Sequence, residues 1–230
     1  MLLEVVTFVE ITRAVAMVRG VRLELITIGW MFAEAAIALG AGILARSVLL
    51  TAFGFDSLIE LLSGIVLWRR LSAEARGASI KDVERLETRT ARISGVLLVL
   101  LCAYVLVTSA VGLLLEIKPS GSIVGIAVAA IAIVAMPLLA LAKARANRTI
   151  RSVALRADVA ETITCAYMAG ITLAGLGASM LLGLWWVQYV AALALLIWLV
   201  PETREALSHD EHGEGEAPRD NGSTPPAGGS

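Results

Sequence analysis

Residues 47–68 read SVLLTAFGFDSLIELLSGIVLW. As a helix rising 1.5 Å per residue, the stretch is about 33 Å long, enough to cross a hydrocarbon core of about 30 Å. It shows no alternation of period two, which argues against a strand of an outer-membrane barrel. Two of its residues, Asp56 and Glu60, are acidic. They are four apart, so a helix carries both on one face. An ionisable group inside a membrane span is costly and marks a functional site by default.

Five more apolar stretches flank this one, at 24–45, 93–115, 121–142, 155–181 and 185–203. Composition agrees: 58% of the 230 residues are hydrophobic, 17% are charged, and mean hydropathy is +0.82. A chain with so few charges cannot cover a soluble globule of this size. Its net charge of −1 gives no basic field for nucleic acid. The two cysteines, Cys102 and Cys165, lie in apolar runs, which excludes a secreted disulfide framework. No nucleophile–base pair, P-loop or HExxH is visible, so nothing points to an enzyme. The expected fold is an all-α membrane protein, a six-transmembrane-helix bundle embedded as a multi-pass protein of the cell membrane.

Basic residues set the orientation. Arg13, Arg19 and Arg22 precede the first span. Arg69, Arg70, Arg76, Lys81, Arg85, Arg89 and Arg92 join the second to the third. Lys143, Arg145, Arg148, Arg151 and Arg156 are assigned to the fourth-to-fifth connection, and Arg204 and Arg219 follow the sixth span. Together they account for 17 of 19 basic residues, leaving Arg46 and Lys118 on the other side. By the positive-inside rule both termini are cytoplasmic. The basic fourth-to-fifth connection would also meet anionic lipid head groups.

Three regions follow. Residues 1–22 are an amphipathic N-terminal arm, with Glu4, Thr7, Glu10 and Arg13 recurring every third position; a seventh span is the alternative there. Residues 23–207 form the six-span domain. Residues 208–230 form an acidic tail rich in Gly, Pro and Ser, expected to be disordered, in which His209 and His212 would at most bind a metal weakly. Gly121, Gly125, Gly170, Gly175 and Gly177 read as helix-packing positions. Trp185, Trp186 and Trp198 read as interfacial anchors, and Pro137 as a kink in the fourth span.

The fifth span opens ALRADVAETITCAYMAG, with Asp158, Glu161 and Cys165 on one stripe; the first span adds Glu34. At 1.5 Å per residue, Asp56 and Glu60 lie about 12 and about 18 Å below the outer surface. Glu161 and Cys165 lie about 9 and about 15 Å above the inner one. The depths match if the two spans are neighbours, and four donors then meet near the midplane. A lone acid of this kind is also explained by protonation or by an interhelical hydrogen bond. Two i,i+4 pairs at matching depth favour a cation site instead. Carboxylates with one thiol suit Zn²⁺, and less well Mn²⁺ or Fe²⁺.

With these motifs in place, the chain resembles the cation diffusion facilitator family of divalent-metal transporters, over about residues 20–207. ARSVLLTAFGFDSLIELLSG is similar to the family's second-span segment, with Asp56 and Glu60 at metal-binding positions. LRADVAETITC keeps the Arg-Ala-Asp of the fifth span as Arg156, Ala157 and Asp158. Glu161 stands where a His is usual, and Cys165 where an Asp is usual. No His lies in the membrane spans, Gln188 replaces an acidic residue before the sixth span, and the usual cytoplasmic ferredoxin-like domain has no counterpart in this sequence.

The resemblance implies a divergent exporter of Zn-like divalent metal ions working by proton antiport. Asp56, Glu60, Glu161 and Cys165 would be the metal ligands, and Asp158 and Glu34 an entrance or proton relay. The partners it implies are the metal ion as cargo, protons, membrane lipid and a second copy in a homodimer; no cofactor beyond the transported cation is expected. Two alternatives stand: a non-transporting membrane protein with a degenerate metal site, and a transporter of another cation.

Overall fold

The computed structural model describes the backbone of residues 2–76 and 81–213, and the side-chain surroundings of 14–76, 93–197 and 199–201. Among them the chain forms six helices and no strand: α1 Leu2–Ala45, α2 Val48–Ala75, α3 Lys81–Leu114, α4 Ile123–Ile150, α5 Val153–Leu182 and α6 Val187–Gly213. Five contain segments long and apolar enough to cross a membrane; the apolar part of α6, Val187–Pro201, is shorter. The protein is an all-α membrane bundle.

Serines set the helix starts. Ser47, Ser122 and Ser152 each accept a hydrogen bond on Oγ from the backbone N–H three residues on, at 3.3, 3.0 and 3.3 Å. Each satisfies a donor that the first turn leaves unpaired. The α4–α5 connection, like that between α1 and α2, is only two residues long. Arg151 takes a left-handed conformation (φ 58°). Asn147 bridges the turn, donating from Nδ2 to the Ser152 carbonyl (3.0 Å) and accepting from the Ser152 N–H (2.9 Å).

α1 packs against α2 and α4, α3 against α6 and α2, and α5 against α4, α6 and α2. The main core lies between them, with Leu49, Leu50, Phe53, Met168, Leu176 and Leu195 fully buried. Small residues permit the closest approaches. A Cβ on Gly175 would stand 2.6 Å from Leu49 and Ala191, and one on Gly125 2.5 Å from Leu50. Gly177 faces open space, so the packing role expected of it does not hold.

The helices outrun the apolar stretches at several ends. α1 passes through position 22 without a break, so the N-terminal arm is backbone-continuous with the first span. α6 continues through Pro201 to Gly213, past the expected tail boundary at 208. Residues 214–230 lie outside the described residues, as do the side chains of His209, His212 and Trp198.

The consequential correction concerns Lys143. It is no loop residue: α4 continues through Pro137 to Ile150, and Lys143 is completely buried. Hydropathy falls at residue 143, but Lys-Ala-Arg-Ala is a strong helix-forming run. The helix stops only where Asn147 and Arg151 close the turn.

Candidate functional site

α1 and α5 run in one direction and α2 in the other, so the polar residues of all three line up in levels. At the first level, near the start of α5, the tight α4–α5 turn brings Lys143 opposite Asp158. Lys143 Nζ lies 2.7 Å from Asp158 Oδ2 and 2.9 Å from Glu24 Oε2 on α1. The Lys143 and Glu24 side chains are 0% exposed and that of Asp158 is 12% exposed. Three helices are thus tied by one ammonium group. A buried charge is tolerated only when paired in this way.

The second level is a cavity of about 10 Å³, room for about one water-sized particle. Glu60 and Gly64 from α2, Glu161, Thr162 and Asp158 from α5, and Glu24 from α1 are among its lining residues. Gly64 opens this wall: a Cβ there would stand 3.1 Å from Glu24 Oε1.

The third level lies deeper. Cys165 is fully buried and lies 3.8 Å from Glu34 Oε1 as donor. Glu34 also accepts from Ser57 Oγ at 2.7 Å and from the Trp30 indole N–H. Glu60, Glu34 and Asp56 all bear electrostatically on the Cys165 thiol. Asp56, Ser57 and Glu34 are all buried.

The expectations from sequence fare unevenly. α2 and α5 are neighbours, as the matching depths require. Glu60 and Glu161 line one cavity, and Asp56 and Glu60 bear electrostatically on Cys165 one level deeper. The four donors therefore span two levels. Among the described residues no three His, Cys, Asp or Glu side chains are gathered into a closed metal cage. Glu34, expected with Asp158 as an entrance or proton relay, is not beside Asp158. It lies ten residues, about 15 Å, further along α1 than Glu24 and packs against Cys165.

Sequence reasoning missed Glu24, Lys143, Ser57 and Trp30. A signal for one of them existed: Lys143 and Asp158 are 15 residues apart across a serine-capped turn, and a tight helical hairpin places such residues face to face.

At the opposite end of the bundle the buried polar groups among the described residues are uncharged. Gln188 Oε1 accepts from Ser47 Oγ at 2.7 Å, and its Nε2 donates to Ser179 Oγ at 2.9 Å. Tyr189 Oη donates to the Ile117 carbonyl at 2.8 Å, and its ring lies against Gly112. Trp185 and Trp186 occupy the turn before α6, Trp186 exposed, as interfacial anchors would be.

No curated protein matches the chain. Residues 25–208 match the family model of the cation efflux transmembrane domain. The match covers α2 to α5 whole, the second half of α1 from residue 25 and most of α6, and begins one residue after Glu24.

Proposed function

The chain belongs to the cation efflux family, and we propose on that basis that it exports a Zn-like divalent metal ion across the cell membrane in exchange for protons. Members of this family are transporters of divalent cations rather than enzymes. The observation that carries the reading is the cavity lined by Glu60 of α2 and Glu161 of α5, with the buried Cys165 thiol, hydrogen-bonded to Glu34, just beyond.

Asp56, Glu60, Glu161 and Cys165 supply three carboxylates and one thiol, a donor set suited to a borderline divalent ion. In the absence of metal these acids repel one another, and protons are the alternative counter-charge. Metal and protons therefore compete for one set of atoms. A protein that opens the site alternately to either side exchanges one for the other. Both termini face the cytoplasm in this reading, and a homodimer is its expected assembly.

The small volume of the cavity, about 10 Å³, favours a bare inorganic ion over an organic cation. The test is uptake of Zn²⁺, Mn²⁺, Fe²⁺ and Co²⁺ into proteoliposomes under an imposed pH gradient. Metal uptake that collapses with the gradient is expected. Transport of an organic cation without metal, or of nothing, would replace this reading by one of the two alternatives.

A further inference from the structure

Glu24 is fully buried, and its two oxygens have different surroundings. Oε2 is held by Lys143 at 2.9 Å. Oε1 has no hydrogen-bond partner among the described residues. Glu24 lines the same cavity as Glu60, Glu161 and Asp158. Because Gly64 has no side chain there, Oε1 is left uncovered on that wall. A buried carboxylate oxygen with nothing to accept from is expensive, and it persists where a ligand is to arrive.

We propose that Glu24, Asp158 and Lys143 form a cation subsite on the cytoplasmic side of the Glu60–Glu161 cavity, in which the Lys143 ammonium is a tethered counter-ion that an arriving divalent cation displaces. The inference rests on the transporter reading given above and adds to it a stage before the main site. The charge arithmetic supports it. Ionised, Glu24 and Asp158 carry two negative charges against the single positive charge of Lys143 that bridges them.

A divalent cation seated at Glu24 Oε1 and Asp158 gains twice the Coulomb attraction of a monovalent ion at the same distance. It can therefore compete with an ammonium already in place, where Na⁺ or K⁺ would only replace like with like. Lys143 thus screens cations by charge before they reach Glu60 and Glu161. The lysine has the length to yield: its head group ends a flexible four-carbon stem, so it can swing toward the end of the helix without moving α4.

The test is equilibrium Mn²⁺ binding to the full chain in lipid nanodiscs, with Na⁺ as competitor. Lys143→Met keeps the stem and removes the charge. It should raise Mn²⁺ affinity at least about tenfold and make binding sensitive to Na⁺, which the wild type resists. The Lys143→Met, Glu24→Gln double variant should lose that gain. A folded Lys143→Met protein with unchanged or weaker Mn²⁺ binding overturns the proposal, leaving Lys143 as a pin between helices.

Should Lys143→Met fail to fold, Glu24→Gln alone decides. It removes the uncovered carboxylate and leaves Lys143 paired with Asp158, so Mn²⁺ affinity should fall about tenfold; no change overturns the subsite. Asp56→Ala, measured alongside, separates the two readings. Lost binding there with Lys143→Met and Glu24→Gln unchanged removes the subsite alone. Unchanged binding in Asp56→Ala, with Lys143→Met altered, removes the main site and leaves the subsite.

Discussion

The two ends of the bundle are held together by different chemistry. At the end where α4 turns into α5, helices are tied by ions: Lys143 bridges Glu24 and Asp158, and Glu60 and Glu161 follow within one cavity. At the opposite end, neutral groups do the tying: Ser47, Gln188 and Ser179 in one chain of hydrogen bonds, and Tyr189 on the Ile117 carbonyl. Neutral hydrogen bonds satisfy buried groups without creating a need for a counter-ion. Buried charges always need one, so they respond when a competing ion arrives. The ionic end is built to change partners and the neutral end to stay shut.

The largest effect should come from the deep end of the ionic column. Asp56→Ala removes a buried carboxylate beside Cys165 and Glu60, and should lower divalent-metal affinity by about a hundredfold or more, as read by calorimetric titration in nanodiscs. Unchanged affinity would break the comparison at its root, because the acids would then be packing groups like those of the other end.

The second effect is pH dependence. Metal binds the deprotonated carboxylates and thiol, so lowering the pH puts protons in competition with it. Affinity should rise with pH by up to about tenfold per unit for each proton displaced, and protons should be released on binding. Binding in two buffers of different ionisation enthalpy measures that release. A flat profile between pH 6 and 8, with no release, would mean that metal and protons do not share the site.

Cys165→Ser sharpens the same column. Cys165 is the one soft donor among the proposed ligands, buried between Glu34 and Glu60. Replacing sulfur by oxygen should reduce Cd²⁺ affinity about tenfold relative to Mn²⁺, whose oxygen ligands remain. Equal losses for both ions would show that the thiol fills space without touching the metal.

Sequence made the spacing of the ionic column legible but not its ends. Asp56 with Glu60, and Glu161 with Cys165, stand out because four-residue spacing on an apolar helix is visible in one dimension. Glu24 and Lys143 sit at the edges of apolar runs, where charges are ordinary. Lys143 was counted with the cytoplasmic basic residues for that reason, and only the α4–α5 turn, closed by Asn147, brings it back over Asp158. Glu34 was visible as a buried acid, but its level depends on α1–α2 register, which Ser57 reports and hydropathy does not. The neutral end was hardest to foresee: Ser47 and Gln188 meet across 141 residues, and neither is unusual alone.

That neutral end supplies the next test. Gln188→Leu keeps roughly the volume but strands the Ser47 and Ser179 hydroxyls, at a cost of about 1–3 kcal/mol in stability. Thermal unfolding should detect it, while metal affinity stays within about threefold of wild type, a shift well under 1.4 kcal/mol. A tenfold loss of affinity would show that the outer clamp and the ionic column are one device.

The smallest expected effect separates a helix cap from the clamp it stands beside. Ser152→Ala removes the Oγ that accepts from the Leu155 N–H. Such a cap is worth about 0.5–2 kcal/mol, and the lower part of that range applies here. The Asn147 side chain bonds only to the backbone N–H and carbonyl of residue 152, which alanine retains. The turn, and with it the placement of Lys143 over Asp158, should survive with a small drop in unfolding temperature and unchanged metal affinity. Asn147→Ala should cost more, because it frees both backbone groups at once and loosens the hairpin that holds the pair in register. If Ser152→Ala instead altered metal affinity as strongly as Asn147→Ala, the hydroxyl cap rather than the asparagine bridge would set the register of the ionic end.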